Sequence, residues 1–227
     1  MSRGERSFLA QLCFGILPLR IETGRYRHET VDRRICKLCS LNVTEDEIPT
    51  LKAMDGAITY RETLDARLQI LYPSRQQIES FIKEHPPRFT SGVKELIQIL
   101  HDKRIDVYLV SGGLYSIIQP MAKILNIPIK NIYCNKLKFY FDGEYAGFDD
   151  DQPTSREGGK PEVVGLLKKK YGYKNLVMIG DGATDLEACP PADAFIGFGG
   201  NQIRPKVREQ AKWFATNFAE LTEALRE

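Results

Sequence analysis

Apolar positions along this chain change rhythm at about residue 86. Near the start, Leu12-Cys13-Phe14-Gly15-Ile16-Leu17 is a short apolar run that reads as a buried strand. Residues 20–34 are polar and basic without a clear period. From about Ile35 to Lys83 the period is helical. Ile48, Leu51 and Met54 stand three apart, Leu64, Leu68 and Leu71 follow, and Ile78, Phe81 and Ile82 close the stretch. Ser74, just after Pro73, is placed to cap the last of these helices. His85-Pro86-Pro87 is a stiff break and predicts a domain boundary.

Beyond the break, short apolar runs alternate with amphipathic ones. Gly92 to Lys103 predicts a helix with Val93, Leu96, Ile97 and Leu100 on one face, and Asp106 to Val110 a strand running into Ser111-Gly112-Gly113. Tyr115 to Leu125 predicts a helix and Ile132 to Cys134 a strand. Leu137 to Phe141 and Glu144 to Phe148 flank Asp142-Gly143, a strong hairpin signal. Pro161 to Tyr171 predicts a helix with proline in its first turn, where a missing N–H costs little. Leu176 to Ile179 is a fully apolar strand ahead of Gly180-Asp181-Gly182-Ala183-Thr184-Asp185. Ala194 to Gly197, a helix from Arg204, Lys212 to Thr216 and Phe218 to Leu225 complete the series. This alternation predicts an α/β fold, a parallel doubly wound sheet with ligands beyond the carboxyl ends of its strands.

Composition narrows the classes. The 227 residues are 42% hydrophobic and 27% charged, with 32 basic and 30 acidic side chains and a net charge of +2. This is globular composition, and it argues against a strongly basic nucleic-acid surface. No run reaches the ~18 apolar residues of a membrane helix. Five scattered cysteines argue against a secreted disulfide framework. Cys36 and Cys39 lack the second pair that a zinc site needs and read as small apolar residues on a helix. Arg3 and Arg6 before Phe8 to Leu19 have the outline of a signal peptide, but Gln11 and Pro18 interrupt the stretch and no cleavage site follows. A cytoplasmic location is the expectation.

The candidate chemistry lies at the predicted strand ends. The glycines of Ser111-Gly112-Gly113 let the backbone approach an anionic ligand, and Ser111 can donate from its hydroxyl. Gly158-Gly159-Lys160 opens a helix, adding positive partial charge and a compact cation. Asp181 and Asp185 supply the hard oxygens that Mg²⁺ prefers. Each motif alone is weak; together, in this order, they point to a phosphate site.

From about His28 onward the chain resembles the phosphoserine phosphatases of the haloacid-dehalogenase (HAD) superfamily, the animal enzymes above all. The segments that carry the resemblance are 65–75 (DARLQILYPSR), 108–113 (YLVSGG), 137–148 (LKFYFDGEYAGF) and 178–185 (MIGDGATD) through Gly200. The resemblance implies a HAD-like Rossmannoid core over 86–227, a small helical cap over 28–85 and a divergent segment over 1–27 that holds the first core strand. It further implies a homodimeric cytosolic enzyme of serine biosynthesis, one Mg²⁺ ion as cofactor, and phosphoserine as the small-molecule partner, with neither nucleic acid nor membrane. Residue by residue, it implies electrostatic catalytic roles for Ser111 and Lys160. It implies substrate contacts from Glu29, Met54, Arg67, Ser111, Gly112, Gly113, Lys160 and Thr184, and metal contacts from Asp181 and Asp185.

The chain departs from this family at one decisive place. The family's first strand ends in Asp-x-Asp-x-Thr, whose first aspartate attacks phosphorus and whose second moves the proton. Here the first aspartate of the chain is Asp32. Aligned through Cys13-Phe14, Gly15 stands for the nucleophile and Leu17 for the acid/base. The only Asp-x-Asp, Asp149 to Asp151, follows the hairpin and reads as a solvated loop. Asp55 replaces a family glycine, bringing a carboxylate where phosphate is expected. Losing nucleophile and proton partner together costs about 10⁶-fold, or ~8 kcal/mol of transition-state stabilisation. The expectation is a phosphoserine phosphatase by descent with little or no turnover and a weakened Mg²⁺ site. The intact Ser111, Lys160 and Asp181 favour a replaced first segment over gradual decay. The alternative is a non-catalytic phosphoserine- or serine-binding protein, or a regulatory subunit that dimerises with an active homologue. Another HAD phosphatase specificity is disfavoured by Arg67 and Met54.

Overall fold

The computed structural model describes residues 7–10 and 59–226. Among these, six strands form one parallel sheet in the order β3-β2-β1-β6-β7-β8. The strands are β1 (Ser7–Ala10), β2 (Asp106–Leu114), β3 (Ile132–Asn135), β6 (Leu176–Gly180), β7 (Ala194–Phe198) and β8 (Trp213–Ala215). A separate antiparallel hairpin is formed by β4 (Leu137–Phe139) and β5 (Tyr145–Phe148).

The sheet is buried on both faces, as parallel sheets generally are, because their crossovers cover both sides. On one face Val107, Leu109, Ile179 and Ile196 pack against α3 (Val93–Asp102), α4 (Tyr115–Ile124) and α8 (Phe218–Ala224). On the other, Tyr108, Val110, Leu176 and Met178 meet Val163, Val164 and Leu167 of α5 (Gly159–Tyr171). The period-two alternation along β2 thus sends successive side chains into two different core clusters.

Among the described residues three helices lie between β1 and β2 in sequence, and α1 (Tyr60–Leu71) and α2 (Arg75–Glu84) precede α3. Both open with capping boxes. Thr59 accepts from the Glu62 N–H and Ser74 from the Gln77 N–H, each answered by the later side chain. Leu68 of α1 packs with Tyr145 and Phe148 of the hairpin, while Ile82 of α2 packs with Leu114, Ile117 and Met121. The hairpin turn is Asp142-Gly143, with Gly143 at φ +91°.

The opening strand differs from the sequence expectation. Leu12 to Leu17 lie outside the described residues, and the central place in the sheet is held by Ser7–Ala10. Ser7–Leu9 pair with Asp106–Tyr108 on one side, and Ser7–Ala10 with Leu176–Ile179 on the other. A strand of four residues gives little periodicity; its two parallel neighbours set its position. Two further boundaries differ. Strand β2 runs through Ser111-Gly112-Gly113 to Leu114, where a turn after Val110 is the sequence expectation. Helix α5 begins at Gly159, because Gly158 adopts the left-handed cap conformation (φ +67°), so Lys160 enters the first turn.

The two-faced core makes a direct prediction. Leu100 and Leu167 are fully buried on opposite faces. Each Leu→Ala replacement should lower the unfolding free energy by about 2–5 kcal/mol in urea titrations. Leu166→Ala, beside Leu167 but exposed, should change it by less than about 0.5 kcal/mol.

Candidate anion site at the strand ends

The site lies where β2 and β6 end on either side of β1. Leu9 is level with both Tyr108 and Met178. Ser111 and Asp181 each lie three residues further on, so they stand at one height, about 10 Å apart, separated by the width of the central strand. The last residue of β1, Ala10, is level with Ile179, two residues short of Asp181.

On the β2 side, backbone and side chains are tied into one network. The Gly113 N–H donates to Ser111 Oγ at 3.0 Å. The Gly112 carbonyl accepts from Asn135 Nδ2 at 2.8 Å and from the Tyr60 hydroxyl at 3.2 Å. Thr154 donates to Asn135 Oδ1 at 2.9 Å, and both residues are buried. A Cβ on Gly112 would collide with the Tyr60 hydroxyl, so a side chain here would push the Tyr60 ring aside. Helix α1 is fastened to the same region. Arg61 Nη2 donates to the Asp150 carbonyl (2.9 Å) and to Ser155 Oγ (3.0 Å), and the Tyr60 N–H donates to the Glu157 carboxylate.

On the β6 side, the acids and cations are paired. Lys160 Nζ meets Asp185 Oδ1 at 2.8 Å, and the Gly182 N–H donates to Asp185 Oδ2 at 3.0 Å. Asp185 is 1% exposed and Lys160 12%. Burial pushes the Asp185 carboxyl above its ordinary range, against the pull of the Lys160 ammonium and of the Gly182 N–H. Gly180 has no room for a side chain, since a Cβ would collide with the buried Asp185 side chain. Asp181 is 14% exposed, and its Oδ2 lies 3.7 Å from Nε of Arg204.

The structure therefore brings Ser111, Gly112, Gly113, Lys160, Asp181 and Asp185 to one end of the sheet. Thr184 is exposed in α6 (Ala183–Leu186), beside Asp185. Arg67 is half-buried on α1, seven residues after Tyr60. Glu29, Met54 and Asp55 lie outside the described residues. Asp149 folds into its own loop, accepting from the Asp151 N–H and from Gln152, whose hydrogen bond is the main cause of its lowered pKa. Three participants escape a reading of the sequence. Tyr60 is one of ten tyrosines, Asn135 is a lone amide at a strand end, and Arg204 lacks a motif of its own.

The family model of the haloacid dehalogenase-like hydrolases matches residues 8–193. The phosphoserine phosphatase of Rattus norvegicus is 50% identical over 201 residues, 88% of this chain and 88% of its own. The human enzyme of the same name gives the same identity and coverage. This chain belongs to the phosphoserine phosphatase family of HAD-like hydrolases. In three dimensions it is similar to a phosphoserine phosphohydrolase-like protein from Francisella tularensis, with a TM-score of 0.74 and 27% identity over 96% of this chain and 99% of that one.

Magnesium, which HAD phosphatases generally use, can be tested against the donor set. Among the described residues no three His, Cys, Asp or Glu side chains stand together. Both oxygens of Asp185 are engaged by Lys160 and Gly182, and Asp181 faces Arg204. These residues do not make a resident Mg²⁺ cage, which takes one or two carboxylates available to the ion together with phosphate and water oxygens.

The Lys160–Asp185 pair is buried, so its loss should be costly. Lys160→Met and Asp185→Asn should each destabilise by about 3–5 kcal/mol, because each strands the other partner. Removing both should cost clearly less than the sum, with a coupling of at least ~1 kcal/mol in a double-mutant cycle read by urea unfolding. Additive losses would contradict the pairing.

Proposed function

We propose that this chain binds O-phosphoserine in its family's phosphate cradle and hydrolyses it little or not at all. The observation that carries the proposal is the slot between Ser111 and Asp181. Across it the cradle is intact, with a serine hydroxyl, a lysine in the first turn of a helix and glycines that admit close approach. The strand that runs into the slot is Ser7–Ala10, and from Arg6 to Ile21 the sequence contains no aspartate or glutamate. In sequence, that stretch offers no carboxylate to attack phosphorus and none to carry the proton.

The reaction of the family supports the size of the effect. Attack by a carboxylate splits phosphoryl transfer into formation and hydrolysis of an aspartyl phosphate. Without that group and its proton partner, Ser111 and Lys160 still stabilise a bound phosphate by hydrogen bonding and charge. Such donors serve ground-state binding and transition state alike, so they favour occupancy over turnover. Homodimerisation and a cytosolic location belong to the same proposal and rest on the family resemblance. The phosphate cradle, retained without a carboxylate nucleophile, also favours a non-catalytic role, sensing phosphoserine or modulating an active partner.

The test is phosphate release from O-phosphoserine, with and without Mg²⁺, beside binding of the same compound by calorimetry. The unaltered chain should bind and release phosphate at about 10⁻⁶ of the rate of a relative that carries the Asp-x-Asp motif. Turnover by the unaltered chain at a relative's rate would overturn the proposal.

A further inference from the structure

We propose that Arg204 serves this site as a second cation, so that a phosphate monoester is taken up without a divalent metal. The proposal rests on the phosphate-binding reading above and deepens it. Three observations carry it. First, the Nε of Arg204 is buried and has no hydrogen-bond partner among the described residues, although it lies 3.7 Å from Asp181 Oδ2. That distance is too long for a hydrogen bond. A buried guanidinium N–H without an acceptor is unfavourable, and an anionic oxygen placed against it would relieve the deficit. Second, the guanidinium neutralises Asp181, the carboxylate that would otherwise repel a phosphate dianion at this strand end. Lys160 does the same for Asp185 at 2.8 Å. Among the described residues, these two cations and two carboxylates balance in charge. Third, the loop that carries Arg204 is anchored to the core, since Thr90 donates to Asn201 Oδ1 at 3.0 Å. The guanidinium is thus held near the site by a fixed loop.

Arginine suits this role. Its planar fork matches phosphate oxygens, stays charged at all ordinary pH and is less strongly hydrated than an ammonium. A divalent ion at Asp181 would have to displace it. Arginine and metal would therefore compete for one carboxylate, which lies 3.7 Å from the Arg204 Nε.

The experiment measures binding of inorganic phosphate and of O-phosphoserine to the full chain by calorimetry, in excess EDTA and in Mg²⁺. Binding of Mn²⁺ is followed in parallel by electron paramagnetic resonance. Phosphate should bind in EDTA, with an affinity within about threefold of that in Mg²⁺. Arg204→Gln should weaken phosphate binding in EDTA on the order of 10- to 100-fold, the range of a charged hydrogen bond. The same variant should bind Mn²⁺ more tightly than the unaltered chain, because the guanidinium no longer faces Asp181. Arg204→Lys, which keeps the charge and loses the fork, should fall between and serves as the reference if Arg204→Gln unfolds. Phosphate binding that requires Mg²⁺ would overturn the inference. So would an unchanged phosphate affinity in a folded Arg204→Gln. If phosphate binds in EDTA and phosphoserine binds in neither condition, the inference stands and the phosphoserine reading falls. If neither compound binds in EDTA and phosphoserine binds in Mg²⁺, the reverse holds.

Discussion

The buried ion pair between Lys160 and Asp185 organises this end of the molecule. An ammonium and a carboxylate removed from water are tolerated only when each satisfies the other and the remaining oxygen finds a donor. Here that donor is the Gly182 N–H. The pair holds the first turn of α5 against the loop after β6, and it explains why Gly180 has no room for a side chain. It also fixes the lysine's position and commits Asp185 to the lysine. Asp181, at the same strand end, faces the guanidinium of Arg204.

Much of the fold was legible because local and tertiary signals agreed. Ser74 caps its helix and Asp142-Gly143 turns its hairpin, as their side-chain chemistry and backbone freedom require. The strands β2, β3, β6 and β7 fall within a few residues of their apolar runs. The strand that the sequence placed at Leu12–Leu17 was not legible in that way. Its rival, Ser7–Ala10, has two strongly apolar residues in four and stands between β2 and β6 through parallel pairing on both sides. Pairing is a property of the assembled sheet and leaves no trace in a stretch this short. The Ser111-Gly112-Gly113 segment was misjudged for a related reason. Glycine suggests a turn, yet it also permits a strand whose backbone lies close to Tyr60.

The site divides along the same line. Residues in recognisable spacings, Ser111 with its glycines, Lys160 after Gly158-Gly159, and Asp181 with Asp185, were all found in the sequence and meet at the strand ends. Residues that contribute through distant contacts were not. Tyr60 reaches the carbonyl of Gly112 from 52 positions away, Asn135 supports the same carbonyl from 23, and Arg204 approaches Asp181 from a loop beyond β7. The role given to Asp185 also shifts in emphasis. Its spacing suggested a metal ligand, whereas its geometry makes it the partner of the lysine.

The central claim is that no carboxylate stands in the slot between β2 and β6 to accept a phosphoryl group. The most direct measurement is intact-mass spectrometry of the chain, quenched in acid after mixing with O-phosphoserine. The account predicts an unmodified mass at every mixing time. A phosphoryl adduct that maps to an aspartate or glutamate and vanishes with hydroxylamine would contradict it.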